Sequence, residues 1–247
     1  MSWLRSLLFS TPLILLATIV MWTCSMIASL VDRSGRRQHQ MARIWARVLL
    51  AASFIRVRAE GLEHLDPRAN YVFVANHGSY MDIPAVLSTL RYQFRFFAKK
   101  GLYRIPFLGW HLKRAGHLPV DRSNARNRLK SMHEGARALA EHGISMLVFP
   151  EGGRTKVGLR EFKEGAAYIA IKAGVPVAPV AIAGLRECLP MGSIHIRSGQ
   201  AVIRVGEPIP TAGMKLSQRE ELTERMHGEI QRLLGEGSGE PRADARG

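Results

Sequence analysis

Residues 6–31, SLLFSTPLILLATIVMWTCSMIASLV, carry no charged side chain, and nothing else in the chain limits its fold as strongly. An uncharged apolar run of this length is rare in soluble domains. Pro12 follows Thr11 at a natural first-turn position, and a helix over 12–31 would be roughly 30 Å long, the thickness of a bilayer hydrocarbon core. Secretory signals have shorter apolar cores and a small-residue cleavage site. Here no A-x-A follows, and the residues before Cys24 do not make a lipoprotein acylation site, so the segment is expected to be retained. Arg33, Arg36, Arg37, Arg43 and Arg47 follow the run, against Arg5 before it. A span would therefore leave the rest of the chain facing the cytoplasm, and the expected location is the inner (cytoplasmic) membrane. The next stretch, MARIWARVLLAASFIRV, is apolar but carries Arg43, Arg47 and Arg56, which suits lying in the interface better than crossing it. A helical hairpin dipping into one leaflet is the alternative to a true span, and a buried core helix is the third reading.

Lys and Arg outnumber Asp and Glu by 35 to 20, a formal net charge of +15, so anionic partners are expected. Nucleic-acid binding would call for basic residues interleaved with exposed aromatics on one face. The cations here are spread along the chain, so no nucleic-acid partner is expected, and membrane lipids fit better. Two distant cysteines, Cys24 and Cys188, provide neither a disulfide framework nor a cysteine-based zinc site.

From about residue 55 short apolar runs alternate with helix-like stretches, which predicts an α/β fold. The expected architecture is a mixed central sheet flanked by helices, preceded by an N-terminal membrane-associated helical segment. The expected division is 1–54 for the membrane segment, 55–235 for the α/β domain and 236–247 for a Gly-rich, charged, disordered tail. Strands are predicted at FIRVRAEG, NYVFVAN, FRFFAKK, GHLPVD, SMLVFP, VPVAPVAI, SIHIRSG and AVIRVGEPI. Helices are predicted to start near Met81, Arg104, Ser123, Glu161 and Ser217. In the third, Ser123 reads as the N-cap, Leu129, Met132, Ala136 and Leu139 as the apolar stripe, and Gly143 as the stop.

Chemistry concentrates in VFVANHGSYMD. The spacing of His77 and Asp82 is weak evidence alone, because chance supplies such matches readily. Its setting strengthens it: YVFVA reads as a buried strand, NHGS as a turn and MDIPAVLSTL as a helix start, and strand C-terminal ends are where open α/β sheets place their sites. From the first helical turn Asp82 could fix one imidazole nitrogen of His77 and leave the other as a base toward an incoming hydroxyl. No nucleophile elbow supports a serine hydrolase. The remaining histidines, His64, His111, His142 and His195 among them, read as surface or packing residues. A second constellation, LVFPEGGRTKVGLREFKEG, runs from a strand into a Gly-Gly turn with Glu151, Arg154 and Lys156, where a guanidinium could grip a phosphate. Lys99 and Lys100 end another strand, and Asp121 and Arg122 a third. Convergent cations of this kind point to a phosphate-recognition site.

Taken in order, NHGSYMD, KKGLYRIPFLGW, GHLPVDR, VFPEGGRT and VPVAPVAI resemble the blocks of the glycerolipid acyltransferases, in particular the bacterial 1-acyl-sn-glycerol-3-phosphate acyltransferases, over residues 55–210. The resemblance implies transfer of a fatty acyl group from acyl-CoA or acyl carrier protein to the free hydroxyl of lysophosphatidic acid, with no cofactor and no metal. It implies His77 as general base and Asp82 as its orienting partner. Glu151, Gly152 and Arg154 match acceptor-binding positions, Arg122 the basic residue closing the second block, Lys100 or Lys99 a lysine near the acceptor phosphate, and Pro179 a position that shapes the acyl site. Two positions depart from the pattern. Pro119 and Val120 precede Asp121 and Arg122 where a bulky residue is usual, and Gly153 stands where the third block usually has a threonine, which leaves the acceptor open to other lysolipids such as lyso-ornithine lipids. A membrane protein that only binds anionic lipid, and a thioesterase, are the readings from other classes. Backbone amides after Asn76 or after Gly152 are candidate oxyanion donors.

Overall fold

The computed structural model describes residues 2–32, 34–106, 108–121 and 123–235; the expected tail at 236–247 lies outside the described residues. Its centre is a seven-stranded sheet in the order β1 (Ile55–Glu60), β7 (Gly199–Val205), β6 (Val177–Ala183), β2 (Val72–Ala75), β5 (Ser145–Val148), β3 (Phe94–Lys99), β4 (Leu118–Val120). Every neighbouring pair is parallel except β6 with β7, so the sheet is mixed, as predicted. The run VFVA is apolar throughout because β2 is buried on both faces. Val72 and Val74 pack under α6 (Ala125–His142), α7 (Gly165–Ala173) and α9 (Arg219–Gly235), while Phe73 and Ala75 pack under α3 (Arg36–Ala52) and α4 (Asp82–Thr89).

Three local expectations are corrected. SIHIRSG forms no strand over residues 193–198, because its amides are engaged elsewhere: Ile196 N donates to Ser6 Oγ at 2.9 Å and Arg197 N to the Cys188 carbonyl at 2.8 Å. The helix expected near Arg104 is instead a 3-10 turn (Lys100–Arg104) followed by α5 (Leu108–Arg114), since Pro106 keeps Ile105 extended. α6 is capped by Asn124, whose side chain accepts from Asn127 N, while the Ser123 hydroxyl turns to Asp121; Gly143 ends the helix in the left-handed region, as predicted. Leu129 is exposed, because α6 turns the small residues Ser131 and Gly135 inward. A Cβ on Gly135 would lie 2.5 Å from the Phe97 ring, so only glycine allows that approach.

The apolar N-terminal run is one helix over Trp3–Val31, made of α1 (Ser2–Arg5), a π-helical turn (Ser6–Ser10) and α2 (Thr11–Val31). It is long and apolar enough to cross a bilayer, and most of its large side chains, Leu15, Leu16, Ile19, Ile27 and Leu30 among them, face outward, unlike those of a core helix. α2 is followed by a turn at Asp32, Ser34 and Gly35, after which α3 packs back against it. Asp32 builds that turn by accepting from Ser34 N and Oγ and from Arg37 N, and these bonds hold its carboxyl down to about 2. Gly35, at φ 74°, seats the turn against the link between α5 and β4: a Cβ there would lie 2.8 Å from the Ala115 carbonyl. The α2–α3 hairpin is not detached from the sheet, since Ala46, Leu49 and Leu50 of α3 belong to the core.

Below this turn lies a buried polar knot. Arg95 is fully buried and donates to the carbonyls of Ser34 and Phe94 and to Gln93 Oε1. His117 Nδ1 accepts from Phe96 N at 3.1 Å, which requires the neutral ring, and His39 Nε2 meets the Tyr92 carbonyl. Burial first, then the Arg95 charge, pushes His39 down to about 4 and His117 down to about 3. Unfolded histidines take up protons below about pH 6.5, whereas these do not until pH is far lower. Stability is therefore unaffected by the pair above that pH and falls as pH drops toward 4, by about 1.4 kcal/mol per unit for each ring. Thermal unfolding in detergent from pH 7.5 to 4.5 should show this loss, and a His39→Gln/His117→Asn variant should show a flatter profile.

Candidate active site

The parallel run β6-β2-β5-β3-β4 brings five strand C-termini to one edge of the sheet, which is where the sequence placed its chemistry. After β2 the chain enters the turn Asn76–Met81. Asn76 fastens its start by a two-way amide contact with Ile182, Nδ2 to the carbonyl at 2.9 Å and Oδ1 from the amide at 2.7 Å. At its far end Asp82 opens α4 and reaches back. Its Oδ2 accepts from Gly78 N at 2.8 Å, from Ser79 N at 2.9 Å, and meets His77 Nδ1 at 2.8 Å. Asp82 is buried, and the two amide bonds fix its carboxylate before the imidazole is considered. The ring of Phe149, from the end of β5, stacks on His77 at 4.1 Å between centroids and 19° between planes. Among the described residues His77 Nε2 has no hydrogen-bond partner and it is not sealed off from solvent, so the imidazole offers one nitrogen for a ligand.

The Gly-Gly loop is clamped onto this turn. Glu151 is buried, and its two oxygens accept from His77 N at 2.6 Å and Arg160 N at 3.1 Å. Thr155 N donates to the His77 carbonyl at 3.0 Å. Gly152 is left-handed, φ 76°, a conformation that calls for glycine, and the Lys163 ammonium lies beside it. Arg154 lies over the Tyr80 ring, 3.4 Å from its centroid, which holds the expected phosphate-binding guanidinium against the turn that carries His77. The carboxylate of Glu151, by contrast, is filled by main-chain amides and positions His77.

The other expected cations lie farther along the edge. β3 and β4 stand two and three strand spacings from β2, about 10 and 14 Å. Lys100 pairs with Asp121 at 2.7 Å, and Lys99 is exposed with no ion-pair partner among the described residues. Arg122 lies outside the described residues. Pro179 is buried in β6 opposite Val74, just before the pairing of β6 with β7 begins, a position that tolerates the missing N–H.

Two side chains at this edge escaped the sequence reading. Phe149 reads there only as the end of a strand. Arg186, from α8 (Leu185–Cys188), donates to the Gly158 carbonyl at 3.1 Å while its Nε lies buried without a partner. A Cβ on Gly78 would come within 3.0 Å of that guanidinium, and Gly78 has no positive φ, so the glycine of NHGS leaves room for an arginine. The signal was present in the glycine, but its partner is 108 residues away in sequence. The oxyanion candidates also narrow. The amides of His77, Gly78 and Ser79 are engaged, whereas those of Gly153 and Arg154 have no acceptor among the described residues. No group of three or more His, Cys, Asp or Glu among the described residues could hold a metal ion.

The sequence profile of the family described as Acyltransferase matches residues 56–183. The chain is 35% identical to the chloroplastic 1-acyl-sn-glycerol-3-phosphate acyltransferase of Brassica napus, over 77% of this chain and 56% of that protein. It is 34% identical to the 1-acyl-sn-glycerol-3-phosphate acyltransferase of Chlamydomonas reinhardtii, over 84% and 64%, and 31% identical to an uncharacterized acyltransferase of Schizosaccharomyces pombe, over 76% and 69%. It spans about half to two thirds of the length of these curated relatives. Among solved structures, the 1-acyl-sn-glycerophosphate acyltransferase PlsC of Thermotoga maritima superposes with a TM-score of 0.81 at 25% identity, covering 98% of this chain and 100% of that one.

If Glu151 acts only through His77, Glu151→Gln, which turns an amide donor against an amide donor, should lower kcat about tenfold and leave the acceptor KM near its starting value. Steady-state kinetics at varied acceptor concentration measures this, and a change confined to KM would instead mean direct contact with the acceptor.

Proposed function

This chain belongs to the acyltransferase family, and on that premise we propose that it transfers a fatty acyl group from acyl-CoA or acyl carrier protein to the free hydroxyl of 1-acyl-glycerol-3-phosphate, giving phosphatidic acid. The observation that carries the reading is the 2.8 Å contact between His77 Nδ1 and Asp82 Oδ2, with Nε2 left free. The relatives and the solved neighbour named 1-acyl-sn-glycerol-3-phosphate acyltransferases support the acceptor class.

In this mechanism Nε2 removes the acceptor hydroxyl proton while the oxygen attacks the thioester carbonyl carbon. Asp82 fixes the tautomer and stabilises the imidazolium that forms. The carbonyl oxygen becomes an oxyanion, which the unengaged amides of Gly153 and Arg154 are suited to receive. As the tetrahedral intermediate collapses, the C–S bond breaks and His77 returns the proton to the departing thiol. A thioester needs no further activation, so neither metal nor covalent enzyme intermediate enters. Arg154, held over Tyr80, binds the acceptor phosphate, with Lys99 and Lys100 extending the positive edge. The apolar helix over Trp3–Val31 keeps the domain at the membrane that contains the lipid acceptor.

Loss of a general base costs about 10²- to 10⁴-fold. His77→Ala in membranes should therefore stay folded and transfer almost no labelled acyl group; near wild-type turnover would sink the mechanism. Label appearing as free fatty acid would favour a thioesterase, and faster transfer to a lysolipid without phosphate, such as a lyso-ornithine lipid, would overturn the acceptor assignment. A second test uses Gly153, where a Cβ meets nothing within 4 Å and φ is not positive. Gly153→Thr should unfold at the wild-type temperature and lower the KM for lysophosphatidic acid, because it adds a hydroxyl beside Arg154.

A further inference from the structure

Residues 99–114, KKGLYRIPFLGWHLKR, do more than end β3. They contain five cations, Lys99, Lys100, Arg104, Lys113 and Arg114, and no acidic residue. The segment folds tightly: a Cβ on Gly109 would lie 2.2 Å from the Tyr103 carbonyl, and the Tyr103 side chain turns its hydroxyl inward. Yet four of its large apolar side chains stay outside. Leu102, Ile105, Leu108 and Trp110 are 37%, 47%, 37% and 44% exposed. Apolar groups left outward by a compact turn and helix, among cations of which Lys100 is paired with Asp121 and the other four have no ion-pair partner among the described residues, match the chemistry of an interfacial element.

Its position matches too. His111 Nδ1 meets Ser25 Oγ of α2 at 3.3 Å, and Ala115, just past α5, lies against Gly35 in the turn that follows α2. α5 is thereby fastened along the C-terminal half of α2, whose Ile27, Leu30 and Val31 are exposed. The apolar surface of the anchor helix thus continues onto the segment that begins at Lys99, on the same sheet edge as His77.

We propose that residues 99–114 form a second membrane-contacting element, which seats Leu102, Ile105, Leu108 and Trp110 in the interface of an anionic bilayer beside α2 with their flanking cations at the headgroups. The proposal deepens the lipid-acceptor reading and rests on it for its purpose, though not for its test. Seated in this way, the C-terminal edge of the sheet faces the headgroup layer, so an acceptor can reach His77 without leaving the membrane. The anchor helix is rigidly joined to the domain, but one helix alone leaves its own tilt and rotation in the bilayer unset.

The test uses the full chain reconstituted in phosphatidylglycerol vesicles, with Cys24→Ser to remove the exposed thiol, Cys188 being buried. A polarity-sensitive dye on Ile105→Cys should be blue-shifted and quenched by nitroxide lipids labelled near the headgroup, whereas the same dye on Glu134→Cys, exposed on α6, should not. An unquenched dye at 105 overturns the proposal, and equal quenching in phosphatidylcholine vesicles overturns its anionic preference. These readouts need no catalysis, so failure of the acyl-transfer reading would leave them interpretable. Activity gives the second measurement. Ile105→Glu/Trp110→Glu should lower kcat/KM at least tenfold on lysophosphatidic acid in vesicles and less than twofold on a short-chain, monomeric analogue, which also reports that the variant folds. Equal activity on vesicles would overturn the proposal.

Discussion

A single carboxylate oxygen organises the site. Asp82 Oδ2 accepts from the amides of Gly78 and Ser79 and holds the imidazole of His77, so the same atom closes the turn after β2 and orients the ring. Because Asp82 is buried and opens α4, its place is determined by the strand-to-helix connection and not by the imidazole. The imidazole is aligned before any substrate arrives, which would lower the reorganisation needed in the proposed reaction.

Around that centre the second loop is assembled by contacts distant in sequence. Glu151 holds the His77 amide, Thr155 donates to the His77 carbonyl, Phe149 stacks on the ring, and Arg186 bridges from the Gly78 turn to Gly158. These contacts couple the placement of His77 to the loop that carries Arg154. A disturbance in the Gly-Gly loop is therefore transmitted to the imidazole through main-chain hydrogen bonds, without any substitution at His77 or Asp82.

The N-terminal hairpin meets the catalytic sheet through small residues and buried polar groups. Gly35 and Gly116 close around Arg95, and α3 places Ala46, Leu49 and Leu50 in the core while α2 keeps its apolar side chains outside. One end of the hairpin is thus rigidly part of the domain, and the other presents a surface suited to lipid. Rigid attachment matters because a flexible tether would not orient the sheet edge relative to a bilayer.

Local pattern made much of this legible. An uncharged run long enough for a bilayer, the continuous apolarity of VFVA, the glycine stop at Gly143 and the ordered blocks from NHGSYMD to VPVAPVAI follow from propensities and spacings within a few turns of chain, and the fold agrees with them. SIHIRSG shows the limit: its alternation suits a strand, but Ser6, 190 residues away, takes the amide of Ile196. The same distance hid the stacking of Phe149, the room that Gly78 leaves for Arg186, and the engagement of the Glu151 carboxylate. The sequence alone determined which groups could act as base, acid partner and phosphate ligand, because residue type sets chemistry. Only the tertiary structure decided which of them meet, since hydrogen bonds and ring contacts act over a few ångströms and the parallel sheet alone brings strand ends so far apart in sequence to one edge.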